Sequence, residues 1–217
     1  MNISTIIFDL DDTLYPASNG VWTLLRDRIT QFMVENLGYT KSAALIMQLE
    51  YFNKYGTTLR GLQLEHHIDP LIYLHFVHDV PIQKLIKPNL LLNRFLSSIP
   101  QKKAIFTNAD HWHANRVLDA LDIRMFFDEI VDILDMLPFC KPMTEAFEIA
   151  FLKLGIHNPS TCLFVDDSLR NIKVAKSLGL QTVWVSDNEN EFDHSNFKIN
   201  KIEEIIELFS NEFVEEK

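Results

Sequence analysis

The sequence predicts an α/β protein in which helices flank a parallel β-sheet and a helical segment interrupts the order of strands. Three observations lead to this prediction. From residue 89 onwards, short apolar runs alternate with amphipathic segments, which is the pattern of a parallel sheet covered on both faces. The strand-like runs have apolar residues in succession, as expected of strands buried on both faces. Residues 17–88 instead read as successive helices without a convincing strand.

Five strands and five helices account for the alternating part of the chain. The predicted strands are Ser4–Leu10, Lys103–Thr107, Glu129–Ile133, Thr161–Val165 and Thr182–Ser186. The predicted helices are Asn89–Ser98, His111–Leu121, Thr144–Leu154, Leu169–Leu178 and Ile202–Phe213. Asp110 is a good N-cap residue, and Gly155 and Gly179 are good helix stops. The polar stretch Asp187–Asn196 is expected to be a loop.

The helical segment is bounded by residues that start or stop helices. Its predicted helices are Val21–Leu37, one from Thr40 through Tyr55, Thr57–Ile68, and one from Asp69-Pro70 to about His78. Gly38 and Gly56 follow the first two helices as C-terminal stops. Thr40 and Asp69 are capping residues, and proline suits the first helical position.

Composition limits the class of protein. The 217 residues carry a formal net charge of −10, which argues against non-specific nucleic-acid binding, because that needs a basic surface. No apolar run approaches the ~20 residues that span a bilayer, and the N-terminus lacks a signal-type segment. Cys140 and Cys162 form no disulfide framework. We therefore expect a cytoplasmic monomer or homodimer without nucleic-acid or membrane partners.

Three predicted strands end in polar side chains that can share one site. The first ends in Asp9 and Asp11, the second in Thr107-Asn108, and the fourth in Asp166-Asp167. In open parallel sheets ligands bind beyond the carboxyl ends of the strands. Lys141 stands before a predicted helix start and could add a positive charge. These parts suit phosphoryl transfer, which needs a nucleophile, an acid/base, a cation and donors for phosphoryl oxygens.

The spacing of Asp9 and Asp11 indicates a cation. Residues two apart on an extended segment point to the same side, and two carboxylates this close repel each other unless positive charge lies between them. Oxygen ligands of this kind suit Mg²⁺. The alternative for this motif alone is a strand that ends in a solvated acidic turn.

The four motifs together resemble the haloacid dehalogenase-like hydrolase superfamily. Its motifs are an apolar strand with D-x-D-x-T, a strand ending in Thr or Ser, a lysine, and a strand ending in an acidic pair, and all four occur here in that order. The resemblance implies a Rossmann-like catalytic core over residues 1–16 and 89–217, with a helical cap over residues 17–88.

The resemblance also implies roles for the acidic residues. Asp9 would be the nucleophile that forms an aspartyl-phosphate, and Asp11 would protonate the leaving oxygen and then activate water. Mg²⁺ would be held by Asp9, the backbone carbonyl of Asp11, and Asp167, with Asp166 close by. Burial and the neighbouring Asp9 and Asp12 are expected to raise the pKa of Asp11, while the metal opposes this.

The remaining motif residues would bind phosphate. By the same resemblance, Thr107 and Asn108 would contact phosphoryl oxygens, and Lys141 would offset the charge between nucleophile and phosphate. The family's dehalogenases generally lack the second aspartate of D-x-D, so Asp11 favours a phosphatase. Asn171 either orients a metal-bound water or caps and packs.

A closer resemblance, to the pyrimidine 5′-nucleotidase branch, rests on five segments. They are Tyr55-Gly56, Leu59-Arg60-Gly61, Leu85-Ile86-Lys87-Pro88, Ile105-Phe106-Thr107-Asn108-Ala109-Asp110 and Phe164-Val165-Asp166-Asp167-Ser168. The resemblance implies release of phosphate from UMP- or CMP-like nucleoside monophosphates. Arg60, Tyr55, His66, His67 and Tyr73 of the cap either contact base or ribose, or pack between helices and lie in water.

Alternatives of other classes remain open. A phosphatase or phosphomutase for another small phosphorylated metabolite, such as a sugar phosphate, would use the same core. A non-catalytic phosphate-binding module would not need both Asp9 and Asp11. Zinc is not expected, because the histidine pairs lack a convincing third ligand and oxygen ligands already account for the metal.

Overall fold

The computed structural model of the chain describes residues 3–188 and 195–212. Its centre is a six-stranded sheet in the order β3-β2-β1-β4-β5-β6, with every neighbouring pair parallel. The strands are β1 Thr5–Phe8, β2 Lys102–Phe106, β3 Glu129–Val131, β4 Cys162–Asp166, β5 Gln181–Val185 and β6 Phe197–Ile199. β1 is central, since Ile7 pairs with Ala104 of β2 and with Phe164 of β4. The predicted α/β fold with a parallel sheet is confirmed.

Eleven α-helices lie within the described residues. They are α1 Val21–Leu37, α2 Lys41–Tyr55, α3 Thr58–His66, α4 Pro70–Val77, α5 Ile82–Leu85, α6 Leu90–Ser98, α7 His111–Leu121, α8 Ile133–Met136, α9 Thr144–Leu154, α10 Leu169–Ser177 and α11 Ile205–Glu212. None of the helices in residues 3–188 and 195–212 combines the length and the apolar character that a bilayer-spanning helix requires.

The capping residues set several helix bounds as predicted. Thr40 accepts a hydrogen bond from the Ala43 N–H at the start of α2, and Asp110 accepts one from the His113 N–H at the start of α7. Gly38 ends α1 and Gly155 ends α9 in the left-handed conformation, which suits glycine. The predicted bounds of α1, α7 and α9 agree with the structure.

Three predictions about strands are wrong. The first strand ends at Phe8 rather than Leu10. The third strand ends at Val131 rather than Ile133, because Asp132 caps the short helix α8 through the N–H groups of Leu134 and Asp135. A sixth strand, Phe197–Ile199, was not predicted and pairs with β5. The predicted loop 187–196 and helix 202–213 fall partly outside the described residues, and the described part of that helix begins with a 3-10 turn at Ile202–Glu204.

Residues 17–88 contain helices α1 to α5 and no described strand. Their apolar side chains pack against one another, and the ring of Phe32 lies 5.2 Å from that of Tyr73 and 5.4 Å from that of Phe76, both edge to face. This arrangement agrees with a helical insert between β1 and β2. The division into a core and a cap at residues 16/17 and 88/89 stays a prediction.

Candidate active site

The sheet brings the predicted site residues to one edge. β2, β1 and β4 are adjacent, and their carboxyl ends are followed by Thr107, Asp9 and Asp167 respectively. Strand order reverses next to β1, and in such sheets this is where a crevice for ligands forms. The fourth motif residue, Lys141, reaches this edge from the segment between α8 and α9. We call residues 137–143 the Lys141 loop.

Lys141 is buried and fully bonded. Its Nζ donates to Asp9 Oδ1 at 2.6 Å, to the Phe106 carbonyl at 2.7 Å and to Asp166 Oδ2 at 3.0 Å. Burial lowers the pKa of Lys141, but Asp166 and Asp9 outweigh it and the net direction is upward, so the ammonium is charged. An ammonium has three N–H donors, and all three bond protein oxygens here. Its influence on a bound phosphate would therefore come from its charge.

Thr13 connects the two acidic motifs, and the sequence analysis gave it no role. Its hydroxyl donates to Asp9 Oδ2 at 2.9 Å and accepts the backbone N–H of Asp167 at 3.0 Å. Asp167 Oδ1 lies 3.2 Å from the same hydroxyl. Thr13 thus holds the carboxylate of Asp9 beside the end of β4. The D-x-D-x-T pattern contained the signal for this residue.

The three carboxylates of Asp9, Asp166 and Asp167 offer oxygen atoms within 4.8 Å of one another. Burial raises the pKa of Asp9 to about 7, with Lys141 opposing this and Asp166 adding to it. Burial, followed by repulsion from Asp166 and Asp9, raises the pKa of Asp167 well above its usual value. One lysine does not balance three carboxylates, so the donor set fits a divalent cation with a preference for oxygen, such as Mg²⁺.

Asp166 is the most completely bonded of the three. Its carboxylate accepts bonds from Lys141, from Asn171 Nδ2 at 3.0 Å and 2.9 Å, and from the Ser168 N–H at 2.7 Å. In this structure the side-chain amide of Asn171 therefore binds the carboxylate of Asp166. With Asp166 occupied in this way, Asp9 and Asp167 are the carboxylates left to bind a cation.

Thr107 and Asn108 differ in the contacts that their side chains make. The Thr107 hydroxyl accepts the Ala109 N–H at 3.0 Å, and its own hydrogen has no acceptor in the part of the chain that the structure describes. The side-chain amide of Asn108 donates to the Lys141 carbonyl at 3.0 Å and accepts the Lys141 N–H at 2.9 Å. The Asn108 side chain thus holds the Lys141 loop with one of its two N–H donors and its carbonyl oxygen, whereas the Thr107 hydroxyl hydrogen is free for a ligand.

The Asp11 side chain is not part of the carboxylate cluster and has partners of its own. Its Oδ1 accepts from the Tyr15 hydroxyl and lies 2.9 Å from His113 Nε2. Burial raises the pKa of Asp11, but attraction to His113 and the bonds from His113 and Tyr15 outweigh burial, and the net direction is downward. The expectation of a raised pKa is therefore wrong in this structure. The Asp11 side chain lies outside the cluster of Asp9, Asp166 and Asp167. The backbone carbonyl is therefore the part of Asp11 that could bind a cation.

The side chains of His78 and Asp110 hold His113 in place. The imidazole of His78 stacks on that of His113 with 4.4 Å between centroids and 29° between planes. His78 Nδ1 lies 2.9 Å from Asp110 Oδ2, while Asp110 Oδ1 accepts the His113 N–H. The contact between Asp11 and His113 is not visible in the sequence, because the two residues are 102 positions apart.

Arg60 lies against the Lys141 loop. Its Nε donates to the Pro138 carbonyl at 2.9 Å, and Nη1 lies 3.4 Å from the Tyr55 carbonyl and 2.8 Å from Met143 Sδ. Close by, a Cβ built on Gly56 would lie 2.8 Å from Cys140 Sγ and 3.3 Å from the Lys141 carbonyl. Residues 55–60 of the helical insert therefore contact the loop that carries Lys141.

Most other cap candidates bond within the insert. Tyr55 donates to Glu65, and His66 Nε2 lies 3.1 Å and 3.0 Å from the hydroxyls of Tyr39 and Tyr51. Tyr73 is buried. His67 is exposed and ends α3 in the left-handed conformation. These contacts agree with packing, and the described residues contain no histidine in a three-ligand cluster.

Comparison with known proteins covers nearly the whole chain. Residues 3–179 match the haloacid dehalogenase-like hydrolase family. The chain is 30% identical over 211 residues to Phosphate metabolism protein 8 of Saccharomyces cerevisiae, which covers 87% of this chain and 66% of that protein. It is 24% identical over 226 residues to the glyceraldehyde 3-phosphate phosphatase of Methanocaldococcus jannaschii, which covers 96% and 98% of the two chains.

A solved structure shares the fold. The putative HAD-hydrolase YfnB from Bacillus subtilis, described as bound to magnesium, aligns with a TM-score of 0.67 and 22% identity. The alignment covers 97% of this chain and 100% of that one. At this identity the similarity concerns the arrangement of helices and strands.

Proposed function

The chain belongs to the haloacid dehalogenase-like hydrolase family, and we propose that it is a Mg²⁺-dependent phosphomonoesterase. Its substrate would be a small phosphorylated metabolite, most specifically a pyrimidine nucleoside 5′-monophosphate. The observation that carries the proposal is the setting of Asp9, whose buried carboxylate lies between Lys141 and Thr13 beside the carboxylate of Asp167. A carboxylate in this setting is oriented by both oxygens, with a fixed positive charge at its side.

The reaction has two steps. Asp9 attacks the phosphorus, the bond to the leaving oxygen breaks, and Asp11 gives that oxygen a proton. Water then attacks the aspartyl-phosphate, Asp11 takes a proton from the water, and the bond between Asp9 and phosphorus breaks to release inorganic phosphate. The structure lowers the pKa of Asp11, so the acid role requires the negative charge of the bound substrate to raise that pKa.

The residues present fit a magnesium ion. Asp9, Asp167 and the backbone carbonyl of Asp11 would hold it, with Asp166 supporting the site through Lys141. The ion would reduce the repulsion between the Asp9 carboxylate and a phosphate dianion, which is the electrostatic contribution that metals make to phosphoryl transfer. Thr107 would donate to a phosphoryl oxygen, and Asn108 would keep the Lys141 loop in position.

Substrate selection is assigned to residues 17–88, which we propose as a cap over a core of residues 1–16 and 89–217. Support comes from Arg60 and Gly56, which stand against the Lys141 loop. Arg60 Nη2 makes no hydrogen bond among the described residues, so this nitrogen could bind a base or ribose. The preference for pyrimidine nucleotides rests on the resemblance of the cap and core segments.

A sugar or triose phosphate is a second candidate substrate. The similarity to a glyceraldehyde 3-phosphate phosphatase over 96% of this chain favours it. The proposed chemistry of Asp9 and Asp11 would be unchanged, and only the contacts made by the cap would differ.

The test is phosphate release with Mg²⁺ from UMP, CMP, dUMP, AMP, GMP, glyceraldehyde 3-phosphate and hexose phosphates. We expect turnover of the pyrimidine nucleotides, and its loss in Asp9→Asn. Asp119→Asn, on the exposed side of α7, is the matched control and should keep wild-type activity. Turnover of sugar phosphates alone would reject the nucleotide preference. Turnover that survives Asp9→Asn would reject the aspartyl-phosphate, and no turnover of any ester would favour a phosphate-binding module.

A further inference from the structure

We propose that His113 is a positioning residue that, together with Tyr15, sets the orientation of the Asp11 carboxylate for proton transfer. The inference rests on the proposed phosphomonoesterase function and adds a residue to it. Neither side chain belongs to the four sequence motifs, and both converge on the same oxygen, Asp11 Oδ1.

The geometry at Asp11 divides its two oxygens between two tasks. An ionised carboxylate only accepts hydrogen bonds, so the His113 tautomer with a proton on Nε2 and the Tyr15 hydroxyl both donate to Oδ1. Oδ2 makes no hydrogen bond to any of the described residues, and the Asp11 side chain is 21% exposed. Two donors from different directions fix the rotation of the carboxylate, which leaves Oδ2 to exchange the proton.

His113 is itself held from two sides. It lies on α7, whose N-cap Asp110 accepts its backbone N–H at 2.7 Å. His78 stacks on its ring, and His78 is held by Asp110 and by Arg116 Nη1, which donates to the His78 carbonyl at 2.9 Å. The imidazole can therefore transmit a fixed direction to Asp11.

A packing role alone does not account for His113. The side chain is fully buried, and its Nδ1 has no hydrogen-bond partner within residues 3–188 and 195–212. A buried polar atom without a partner is unfavourable, and an apolar side chain of similar size would fill this position without that penalty. The residue is thus explained by what its Nε2 does for Asp11.

The chemistry identifies a readout that packing would not change. In the first step Asp11 protonates the leaving oxygen, which matters greatly for an alkyl alcohol and little for p-nitrophenolate, a good leaving group. kcat/KM reports this step, because release of the alcohol makes it irreversible. kcat also includes hydrolysis of the aspartyl-phosphate, which is the same species for every substrate and needs Asp11 as base.

The experiment compares kcat/KM for the preferred alkyl phosphate of the panel and for p-nitrophenyl phosphate, with Mg²⁺ present. For His113→Leu we expect a loss of about 100-fold on the alkyl ester, the low end of the range for general acid catalysis, and below about 10-fold on the aryl ester. His113→Gln, which keeps an N–H donor near the position of Nε2, should recover most of the loss. Val117→Ala, fully buried one turn along α7, is the control for destabilisation and should affect both esters equally.

The two esters distinguish a positioning role of His113 from a packing role. A selective loss on the alkyl ester with recovery by glutamine supports the inference, whereas equal losses on both esters, or no recovery, overturn it. If His113→Leu does not fold, Tyr15→Phe replaces it and should show the same selectivity with a smaller loss. A wild-type protein without turnover of either ester would overturn the proposed function and this inference together, whereas turnover with unselective variants would overturn this inference alone.

Discussion

Asp9 and Asp11 stand two residues apart, yet their surroundings differ in kind. Asp9 is bonded by a lysine and lies among further carboxylates, and its pKa is raised to about 7 by burial despite Lys141. Asp11 is bonded by an imidazole and a phenol, and these outweigh burial and lower its pKa. Both carboxylates are buried, so their different partners determine whether each pKa is raised or lowered. One turn of chain can thus present two buried carboxylates whose pKa values shift in opposite directions.

The partners also come in part from different places in the fold. Asp9 shares the turn after β1 with its partner Thr13, but its charged neighbours stand at the end of β4 and in the Lys141 loop. Those of Asp11 lie in its own turn and on α7, and the stacking of His78 on His113 extends the Asp11 side to the end of α4. The comparison predicts that changes on the Asp9 side act mainly through charge, and those on the Asp11 side through hydrogen-bond direction.

The largest effect should follow from Lys141→Met, which removes the positive charge between Asp9 and Asp166. Breaking a buried ion pair typically costs about 3–5 kcal/mol, and we expect a loss of this size in the free energy of unfolding measured by urea denaturation at pH 7. Lys153→Met is the matched control, because Lys153 is 32% exposed and pairs with Asp135 and Glu129. The control should cost about 0–1 kcal/mol. Equal losses would show that the Asp9 side is not governed by charge.

A smaller effect should come from the metal, and it separates the two aspartates directly. We expect Mg²⁺ at about 100 times its Kd to stabilise the wild-type protein by about 2.7 kcal/mol, measured as the shift in denaturation midpoint. Asp167→Asn should lose this stabilisation. Asp11→Asn should retain it, because that substitution leaves the backbone carbonyl of residue 11 in place. A loss in Asp11→Asn equal to that in Asp167→Asn would contradict the division between the two sides.

The smallest effect concerns the pH dependence of stability on the Asp11 side. Burial, and then repulsion from His113, lower the pKa of His78 below its usual value, although Asp110 and Asp11 oppose this. The unfolded chain therefore binds a proton on His78 at a higher pH than the folded chain does. This contribution to stability is present above about pH 6.5 and is lost as pH falls below it, with a slope of at most about 1.4 kcal/mol per pH unit.

The measurement for His78 is the free energy of unfolding from pH 7.5 to pH 5. His78→Asn keeps an N–H donor near the position of Nδ1 for Asp110 but does not titrate. The wild-type protein should lose more stability than this variant over that interval. Parallel curves for the two proteins would show that His78 does not contribute.

Much of the fold could be predicted because its boundaries are local. Gly38, Thr40, Asp110 and Gly155 start or stop helices by their own backbone or side-chain chemistry, and those helices have the predicted bounds. β6 escaped prediction because it has three residues and follows a polar stretch at the sheet edge. A strand this short depends on its neighbour β5 more than on its own sequence.

In the candidate site, too, the local features could be predicted and the contacts between distant residues could not. Residues carried by strand ends converge as the alternating pattern predicts, and this includes Asp9, Thr107 and Asp167. The contacts of Asn108 and Lys141 could not be predicted, because their side chains bond oxygen atoms that only the fold brings near them. The pKa of Asp11 was predicted in the wrong direction, because its decisive partner His113 is brought near by the fold alone.

Gly56 is the point at which the backbone of the helical insert packs closely against the Lys141 loop. A single methyl group does not fit between the two segments, because it would lie 2.8 Å from Cys140 Sγ. The backbone there also takes φ +94, which side-chain-bearing residues rarely adopt. The distance between these two segments is therefore set at one point by the absence of a side chain.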